Sequence, residues 1–417
     1  MTALIQQTPY ERARIKFRDE FSKGVKPVDG RQPIPDELAV AMIQELDVSK
    51  DAIIGVYDAF LILSTHLKEQ GYTNIVVLEN VHKDLTSSQQ KYYDSVKSVC
   101  DNSGIEYYIP PMNNYNRCDM KFDVIIGNPP YQNDKKNGSG TGSGHSALYL
   151  DFVQKSHKLL KDGGIISLIT PSGIFCGSES KTKMMVGKKA IYSTKFIDFN
   201  VNQFFKIGQD ICRWVAQPKK NDIITTVADG REIDLNNATF VVKDATLSGI
   251  VSTLIAHQGQ KLNFSFSGAY VVASVADKLR RQGVENPNEV ARSKSSVPTE
   301  SNQWACDFNG KIFYMQVKPA KYELIRIFAP QLTNPNKFKF ETRQNCGTAG
   351  ATYVMEFDNK EDAKVVEDIL NNPIYLWVIN QLRIDGRLNK TFLNVLPNTP
   401  IEEVLTSDQL SYIQSQL

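Results

Sequence analysis

The sequence has 417 residues, of which 41% are apolar, so it is long enough to bury a large core and to form two or three domains. Its formal net charge is only +2, which excludes a polycation and restricts any nucleic-acid surface to a local cleft. Six cysteines without CxxC pairing or metal-ligand spacing, no signal peptide and no apolar run near the ~18 residues of a membrane span predict a reduced, cytoplasmic protein with no metal site and no membrane partner.

The N-terminal residues 1–30 are polar and charged, and they predict an extension with a helix over Tyr10–Phe21. A second helix is predicted after Pro35. A first-turn proline followed by Asp36 and Glu37 suits a helix N-terminus, because proline needs no hydrogen-bond partner there and the carboxylates face the positive end of the helix dipole.

From residue 52 onwards, apolar strands alternate with amphipathic helices. This spacing is typical of a doubly wound, mostly parallel α/β sheet. The predicted strands are Ala52–Tyr57, Asn74–Glu79, Ile105–Ile109, Phe122–Gly127 and Ile165–Thr170, and the predicted helices are Phe60–Gly71, Thr86–Cys100 and Ser146–Leu160. The last of these helices is expected to end at residues 161–164, where two glycines offer a C-terminal cap.

The most informative stretch is Phe122–Tyr131, which runs from an unbroken apolar segment into a polar turn. The β-branched residues at its start suit a strand that is buried on both faces of a parallel sheet. Pro129 and Pro130 end the strand, because neither has an N–H group to donate. The stretch therefore predicts a carboxamide, Asn128, at the carboxyl end of a central strand, with the ring of Tyr131 three residues further on. Ligands bind at that edge of an α/β sheet.

Asn128-Pro129-Pro130-Tyr131 resembles the catalytic motif of the S-adenosylmethionine-dependent amino-methyltransferases, above all the DNA adenine-N6 methyltransferases of the gamma order. The resemblance implies a class I, Rossmann-like fold, S-adenosylmethionine as cofactor and double-stranded DNA as partner. It implies that the Asn128 oxygen and the Pro129 carbonyl bind the amino group of a flipped adenine, on which Tyr131 stacks. Any restriction endonuclease would be a separate protein, because residues 1–30 are too few for a nuclease domain. The motif also occurs in protein-glutamine methyltransferases, and RNA as substrate stays open too.

The resemblance places cofactor contacts after the second and third strands. Glu79, at the end of the second strand, is expected to accept hydrogen bonds from the cofactor's ribose. Asn114 and Tyr115 lie where the family often places an acidic residue near the cofactor's adenine.

The turn after the first strand departs from the family, which has several glycines there so that the backbone can approach the cofactor. This sequence has only Gly55, followed by Tyr57 and Asp58, and the turn is about three residues short. We assign these three residues to the cofactor site, with Asp58 in the polar role. The departure keeps a second hypothesis open, a catalytically impaired DNA-binding relative with a degenerate cofactor site.

Two further segments follow the motif. Residues 132–145 are rich in glycine and serine and predict either a lid over bound substrate or a plain mobile loop. Residues 196–217 predict a hairpin or paired strands. In the gamma order, an aromatic residue here packs on the face of the flipped base opposite Tyr131, and Phe204 and Phe205 are the candidates; a buried core position is the alternative for each.

We divide the rest of the chain into a methyltransferase domain, residues 31–220, and a target-recognition domain of mixed α+β structure, residues 221–417. Lysines and arginines interleave with aromatic residues between positions 311 and 343, a pattern that suits a DNA-facing surface. The substrate-binding candidates there are Lys337, Lys339 and Arg343. A solvated face over a local core explains the same letters equally well.

Overall fold

The structure is a computed structural model that divides into two compact units, Met1–Val241 and Val242–Leu417. It describes residues 8–23, 32–78, 87–108, 120–131, 148–177, 179–205, 209–219, 223–238, 240–267, 280–281, 283, 285–286, 294–308, 310–316, 318–319, 321–331, 338–348, 352–383 and 388–417. The predicted boundary at residue 220 was wrong, because two more strands join the sheet of the first unit after that point.

The first unit is built on a nine-stranded sheet with the strand order β3-β2-β1-β4-β5-β7-β6-β8-β9. Its strands are β1 (Ile53–Tyr57), β2 (Asn74–Leu78), β3 (Glu106–Tyr108), β4 (Phe122–Gly127), β5 (Leu160–Pro171), β6 (Tyr192–Asp198), β7 (Ile211–Pro218), β8 (Thr225–Val227) and β9 (Glu232–Ile233). Its helices are α1 (Pro9–Ser22), α2 (Asp36–Gln44), α3 (Ile62–Glu69), α4 (Ser87–Ser103), α5 (Leu148–Leu159), α6 (Gly173–Cys176) and α7 (Glu179–Thr182).

The sheet is mostly parallel, and the predicted doubly wound α/β fold is confirmed. β1 to β5 run in one direction, whereas β7 runs antiparallel between β5 and β6. The chain winds outward from β1 to β2 and β3, and then returns to β4 on the other side of β1. A crevice opens at such a reversal of strand order, so the carboxyl ends of β1 and β4 are where a ligand is expected.

One predicted helix end was wrong. Residues 161–164 do not cap α5 but belong to β5, which begins at Leu160. The register between β4 and β5 is irregular between Phe122 and Val124, so the glycines are taken up by an irregular strand start rather than by a helix cap.

The N-terminal segment is part of the first unit and not a separate extension. The buried Arg14 of α1 donates to Thr65 Oγ1 at 3.2 Å and pairs with Glu69 at 2.9 Å, and both partners belong to α3. His66 of α3 lies 3.0 Å from Asp36 of α2. Since these side chains join three helices, α1 is held against the first unit by a polar network as well as by apolar contacts such as that of Phe17 with Phe60.

His66 is the titratable centre of that network. Burial and the Arg14 and Arg18 guanidiniums lower the pKa of His66 to about 4, although Glu69 acts in the opposite direction. The unfolded chain binds a proton below pH ~6.5 that the folded unit binds only below about 4. The free energy of unfolding therefore rises with pH across this window and falls as the solution is acidified through it.

We expect the urea midpoint of the first unit to fall as pH is lowered from about 6.5 to 4. The buried Trp214 reports on this unit when Trp304 and Trp377 of the other unit are replaced by phenylalanine. A His66→Gln variant should show a flatter dependence over the same range. An unchanged slope in that variant would assign the effect to other groups.

The second unit contains two four-stranded sheets, with the orders β10-β17-β14-β15 and β11-β13-β12-β16. Its strands are β10 (Ser265–Ser267), β11 (Lys294–Ser295), β12 (Trp304–Phe308), β13 (Lys311–Met315), β14 (Ile325–Pro330), β15 (Glu341–Arg343), β16 (Gly347–Thr348) and β17 (Thr352–Phe357). Its helices are α8 (Ala245–Ala256), α9 (Lys360–Leu370), α10 (Pro373–Gln381), α11 (Lys390–Leu393) and α12 (Ser407–Gln416). The mixed α+β character expected for this part of the chain is confirmed.

Candidate functional site

The site is organised by the end of β4, where Gly127 adopts a φ of +140°. Gly127 is the register partner of Tyr57 in β1. A Cβ atom at Gly127 would lie 2.1 Å from the Tyr57 carbonyl oxygen, so only glycine allows the two strands to approach this closely. The backbone N–H of the next residue, Asn128, donates to the same Tyr57 oxygen at 2.9 Å and continues the strand pairing by one step.

The carboxamide of Asn128 is fixed by one hydrogen bond and open at its other end. Asn128 is 3% exposed, and its Nδ2 donates to the main-chain oxygen of Gln32 at 3.1 Å. Because a carbonyl oxygen can only accept, this contact orients the amide so that Oδ1 points away from Gln32. Oδ1 is buried and has no hydrogen-bond partner among the described residues. A buried acceptor without a partner is rare, and it marks this atom for a ligand.

Tyr131 lies partly buried beyond the two prolines. Its hydroxyl oxygen is buried and has no hydrogen-bond partner in the described part of the chain. Burial, with a smaller contribution from Cys212, raises the pKa of Tyr131 well above its usual value, so the ring is neutral at physiological pH. The ring can therefore stack and its hydroxyl can donate a hydrogen bond, but it cannot act as a base.

Phe204 and Phe205 lie in the segment that joins β6 to β7. Because β6 runs parallel to β5, its carboxyl end opens onto the same edge of the sheet as Asn128. Phe205 is 9% exposed, and Phe204 and Tyr131 both pack, partly buried, against the hydrophobic cluster that contains Phe205. The structure thus brings these three rings to one region of the first unit.

The segment that carries these rings is held in place by Asn202. Its Oδ1 accepts a hydrogen bond from the Ile211 N–H at 2.8 Å, and its Nδ2 donates to the Gln209 oxygen at 2.9 Å. These bonds close the segment on itself at the start of β7.

The turn after β1 is closed by the protein's own groups. Asp58 is fully buried, and its Oδ2 accepts hydrogen bonds from the Ser64 N–H at 2.7 Å and from the Ser64 hydroxyl at 2.8 Å. The Phe60 N–H lies 3.4 Å from the Tyr92 hydroxyl, and the Phe60 ring packs edge-on against Phe17 and Tyr92. Residues 57–65 are all buried.

The backbone of this turn is unusual, because Phe60 and Leu61 adopt the left-handed conformation with φ values of 62° and 53°. Large side chains rarely adopt this conformation, which glycine adopts without strain. The turn thus has a shape for which the predicted family uses glycine, but it carries two buried apolar side chains. As described, it presents no glycine and no exposed backbone to the methionine end of S-adenosylmethionine, so this end of the cofactor fits only if the turn opens.

The other predicted cofactor residues that the structure describes, Gly55 and Tyr57, serve packing inside the first unit. Gly55 is in the middle of β1, where a Cβ atom would lie 3.0 Å from Leu78 and 3.1 Å from Phe122, so it serves packing between strands and not the turn. The Tyr57 hydroxyl lies 3.0 Å from Ser156 Oγ of α5, and its ring packs on Phe152. The ring of Tyr57 is therefore a core contact. Three cofactor candidates lie outside the described residues: Glu79, Asn114 and Tyr115. The same holds for the substrate-binding candidate Lys337 and for the predicted lid or loop at residues 132–145.

The basic residues predicted to face DNA in the second unit are largely neutralised. Arg343 binds Asp307 at 2.6 Å and also pairs with Glu341, while Lys321 binds Glu356 at 2.7 Å. The aromatic residues interleaved with them are mostly core, since Phe328, Phe338 and Phe340 are at most 3% exposed. The charge of Arg343 is therefore shared with two carboxylates inside the unit, and its role at a DNA surface stays a prediction. Lys339 is exposed and stays a prediction.

Two polar residues at the site were missed by the sequence reasoning. Gln32 orients the Asn128 amide through its main-chain oxygen, and no side-chain pattern could have indicated this. Ser172 lies just beyond the end of β5, the neighbour of β4, and its fully buried hydroxyl has no hydrogen-bond partner among the described residues. The Thr170-Pro171-Ser172-Gly173 sequence, a strand followed by a small-residue turn, is the signal that could have indicated it.

Residues 43–205 match the Eco57I restriction-modification methylase family. An uncharacterised adenine-specific methylase of Mycoplasma pneumoniae is 45% identical over 62 residues, which are 15% of this chain and 14% of that protein. The modification methylase CviBIII of Paramecium bursaria Chlorella virus NC1A is 43% identical over 58 residues, which are 13% of this chain and 15% of that one. The chain thus spans only a small part of the length of either relative.

Among solved structures, the type IIL restriction-modification enzyme MmeI in complex with DNA aligns with 92% of this chain and 65% of its own, at 10% identity and a TM-score of 0.40. This similarity is too distant to indicate function. Within the described residues, the helices are too short or too polar to cross a membrane.

Proposed function

We propose that this chain is a DNA adenine-N6 methyltransferase of the restriction-modification type, which binds the exocyclic amino group of an extruded adenine at Asn128. The observation that carries the proposal is the buried Asn128 Oδ1, which has no partner among the described residues while its amide nitrogen is held by Gln32. A lone buried acceptor costs about 1–3 kcal/mol unless a ligand satisfies it. The match of residues 43–205 to a restriction-modification methylase family supports the same reaction class.

The chemistry of an aromatic amino group explains why this arrangement suits it. The lone pair of the nitrogen is delocalised into the ring, so the group is a poor nucleophile. Hydrogen bonds from its two N–H groups to Asn128 Oδ1 and to the Pro129 carbonyl favour a tetrahedral nitrogen and localise the lone pair. Tyr131 on one face and Phe204 or Phe205 on the other hold the base by stacking. S-adenosylmethionine, when bound, supplies the methyl group.

The proposal implies double-stranded DNA as the partner and a cytoplasmic location. The second unit, with its two sheets and C-terminal helices, is proposed to contribute to target recognition. Since Lys321 and Arg343 are paired within that unit, we expect its contacts to DNA to include Lys339 and residues outside the described ranges.

A second candidate function is a DNA-binding relative that has lost its cofactor. The closed turn at residues 57–65 favours it, because Asp58 and Tyr92 already contact the backbone N–H groups of Ser64 and Phe60. The two candidates share the adenine pocket and differ in whether this turn opens. They therefore predict the same contact at Asn128 but different behaviour towards S-adenosylmethionine.

One set of measurements on the full chain tests both candidates. Unmethylated DNA is incubated with the protein and S-adenosylmethionine labelled in its methyl group, and cofactor binding is measured by calorimetry in the presence of DNA. The first candidate predicts label in N6-methyladenine, lost in Asn128→Ala because the amino group then has no side-chain acceptor. Binding of DNA without cofactor heat or transfer would support the second. Equal behaviour of wild type and Asn128→Ala in both DNA binding and transfer would reject the pocket altogether.

A further inference from the structure

Lys181 of α7 lies along the turn that follows β5. A Cβ atom built on Gly177 would be 3.2 Å from Lys181 Cδ, and one on Gly173 would be 3.6 Å from the same atom. The side chain therefore runs across two glycines, and neither presents a side chain that would displace it. Its Nζ ends 3.8 Å from the Gly173 Cβ position, with the Tyr149 hydroxyl 3.7 Å from that same position.

Within the described part of the first unit, no acidic group pairs with the charge of Lys181. Lys181 is half-buried, and none of the ion pairs among the described residues includes it. A half-buried ammonium normally has a carboxylate partner or stays in water. An unpaired one at a strand end is available for an anion.

A second, independent observation lies beside it. Ser172 immediately precedes Gly173 and is 0% exposed, and its hydroxyl has no hydrogen-bond partner in the described part of the chain. Its backbone N–H donates to the Asp210 oxygen at 2.9 Å, which fixes the residue at the start of β7. The turn after β5 thus offers the hydroxyl of Ser172, and the Lys181 ammonium lies 3.8 Å from the Cβ position of the next residue, Gly173.

This turn borders the adenine site proposed above. β5 is the hydrogen-bonded neighbour of β4, and adjacent strands are only ~4.8 Å apart. Gly127 is the register partner of Leu168, so Ser172 lies three residues, roughly 10 Å, further along the strand direction than Asn128. When a base leaves the duplex its flanking phosphate moves with it, so a nucleotide bound at Asn128 brings a negative charge to this edge.

We propose that Lys181 and Ser172 bind the phosphate next to the extruded base. The proposal rests on the function proposed above and specifies its substrate class, because a phosphodiester belongs to nucleic acid and not to a protein glutamine. Lys181 supplies the charge, and Ser172 donates a hydrogen bond to a phosphate oxygen. Both are positioning residues, since neither touches the amino group that reacts.

The test uses the full chain and a labelled DNA duplex with one unpaired adenine, which offers an extrahelical base whatever the recognition sequence. A perfect duplex and an RNA duplex with the same unpaired adenine are run alongside. Binding is measured over a series of KCl concentrations for wild type and for Lys181→Gln, Lys181→Arg, Ser172→Ala and Asn128→Ala. Lys183→Gln is the matched control, because Lys183 is an exposed lysine two residues away.

We expect wild type to prefer the duplex with the unpaired adenine. Lys181→Gln should lose about tenfold in affinity for it, and the slope of log K against log salt should fall by about 0.9, the value for one phosphate contact. Lys181→Arg should retain the wild-type affinity and salt slope. Ser172→Ala should weaken DNA binding without lowering the urea midpoint of unfolding. Lys183→Gln should leave preference and slope unchanged.

Three outcomes would count against these ideas in different ways. If Asn128→Ala abolishes the preference but Lys181→Gln keeps wild-type affinity and slope, the phosphate contact is wrong and the adenine pocket stands. If wild type shows no preference for the unpaired adenine, the proposed function and the phosphate contact fail together. Tighter binding of the RNA duplex would overturn DNA as the source of the phosphate.

Discussion

Replacing Gly127 by alanine is expected to destabilise the first unit by about 2–6 kcal/mol. A φ of +140° is a conformation that only glycine adopts without strain, and forcing another residue into it costs ~1–3 kcal/mol. The added methyl group would also lie 2.1 Å from the Tyr57 oxygen and 2.7 Å from its carbonyl carbon. Both atoms are backbone, so β1 and β4 must separate, which adds the ~1–3 kcal/mol typical of overpacking.

The measurement is the urea-induced loss of Trp214 emission in a Trp304→Phe, Trp377→Phe background, which isolates the first unit. Gly71→Ala is the matched control, because Gly71 also has a positive φ, +87°, but a Cβ atom there would meet nothing within 4 Å. It should cost only the ~1–2 kcal/mol of the left-handed conformation. Equal losses in the two variants would mean that the approach of β1 to β4 is not constrained by Gly127.

Replacing Asp307 by alanine is expected to destabilise the second unit by about 3 kcal/mol. Asp307 is 0% exposed and accepts hydrogen bonds from Arg343 Nη1 at 2.6 Å, Thr352 Oγ1 at 2.7 Å and the Gly310 N–H at 3.1 Å. Its removal leaves a largely buried guanidinium with only Glu341 as a counter-charge. Breaking one half of a buried ion pair costs ~3–5 kcal/mol, and the remaining Glu341 contact sets the lower end of that range.

Emission from Trp304 and Trp377 in a Trp214→Phe background follows the second unit. Asp368→Ala is the control, since Asp368 forms an exposed pair with Lys364 at 2.7 Å and its loss should cost less than ~1 kcal/mol. Removing both Asp307 and Arg343 should cost less than the sum of the single changes, because no charge is then left alone. An additive double variant would show that the two side chains act separately.

The helices and strands of the first unit could be predicted from sequence, because the spacing of their apolar residues agrees with the positions of the residues that end them. β4 has β-branched residues ended by two prolines, and α3 to α5 have clear helical spacing. The fold class, the position of Asn128 at the end of β4, and the two paired strands around Phe204 were therefore predictable. These features depend on local sequence, which is where pattern reasoning is strongest.

The use made of individual charges and turns could not be predicted in the same way. Lysines and arginines between positions 311 and 343 read equally well as a DNA surface or as a solvated face, and only the position of Asp307 in three dimensions decides the role of Arg343. Likewise, Phe60 and Leu61 look like the first residues of a helix, and their residue types do not indicate a left-handed backbone. The role of Gln32 rests on its main-chain oxygen, which every residue has.

The antiparallel course of β7 has a consequence for how this protein can diversify. The aromatic segment between β6 and β7 is joined at its ends to these strands, and its described residues, 199–205 and 209–210, share no hydrogen-bonded ladder with β4. Insertions or substitutions in this segment can therefore change the surface around Phe204 and Phe205 without moving the Asn128 amide. Under the proposed function, a change in which base is accepted thus requires no change in β4 or in the Asn128 that follows it.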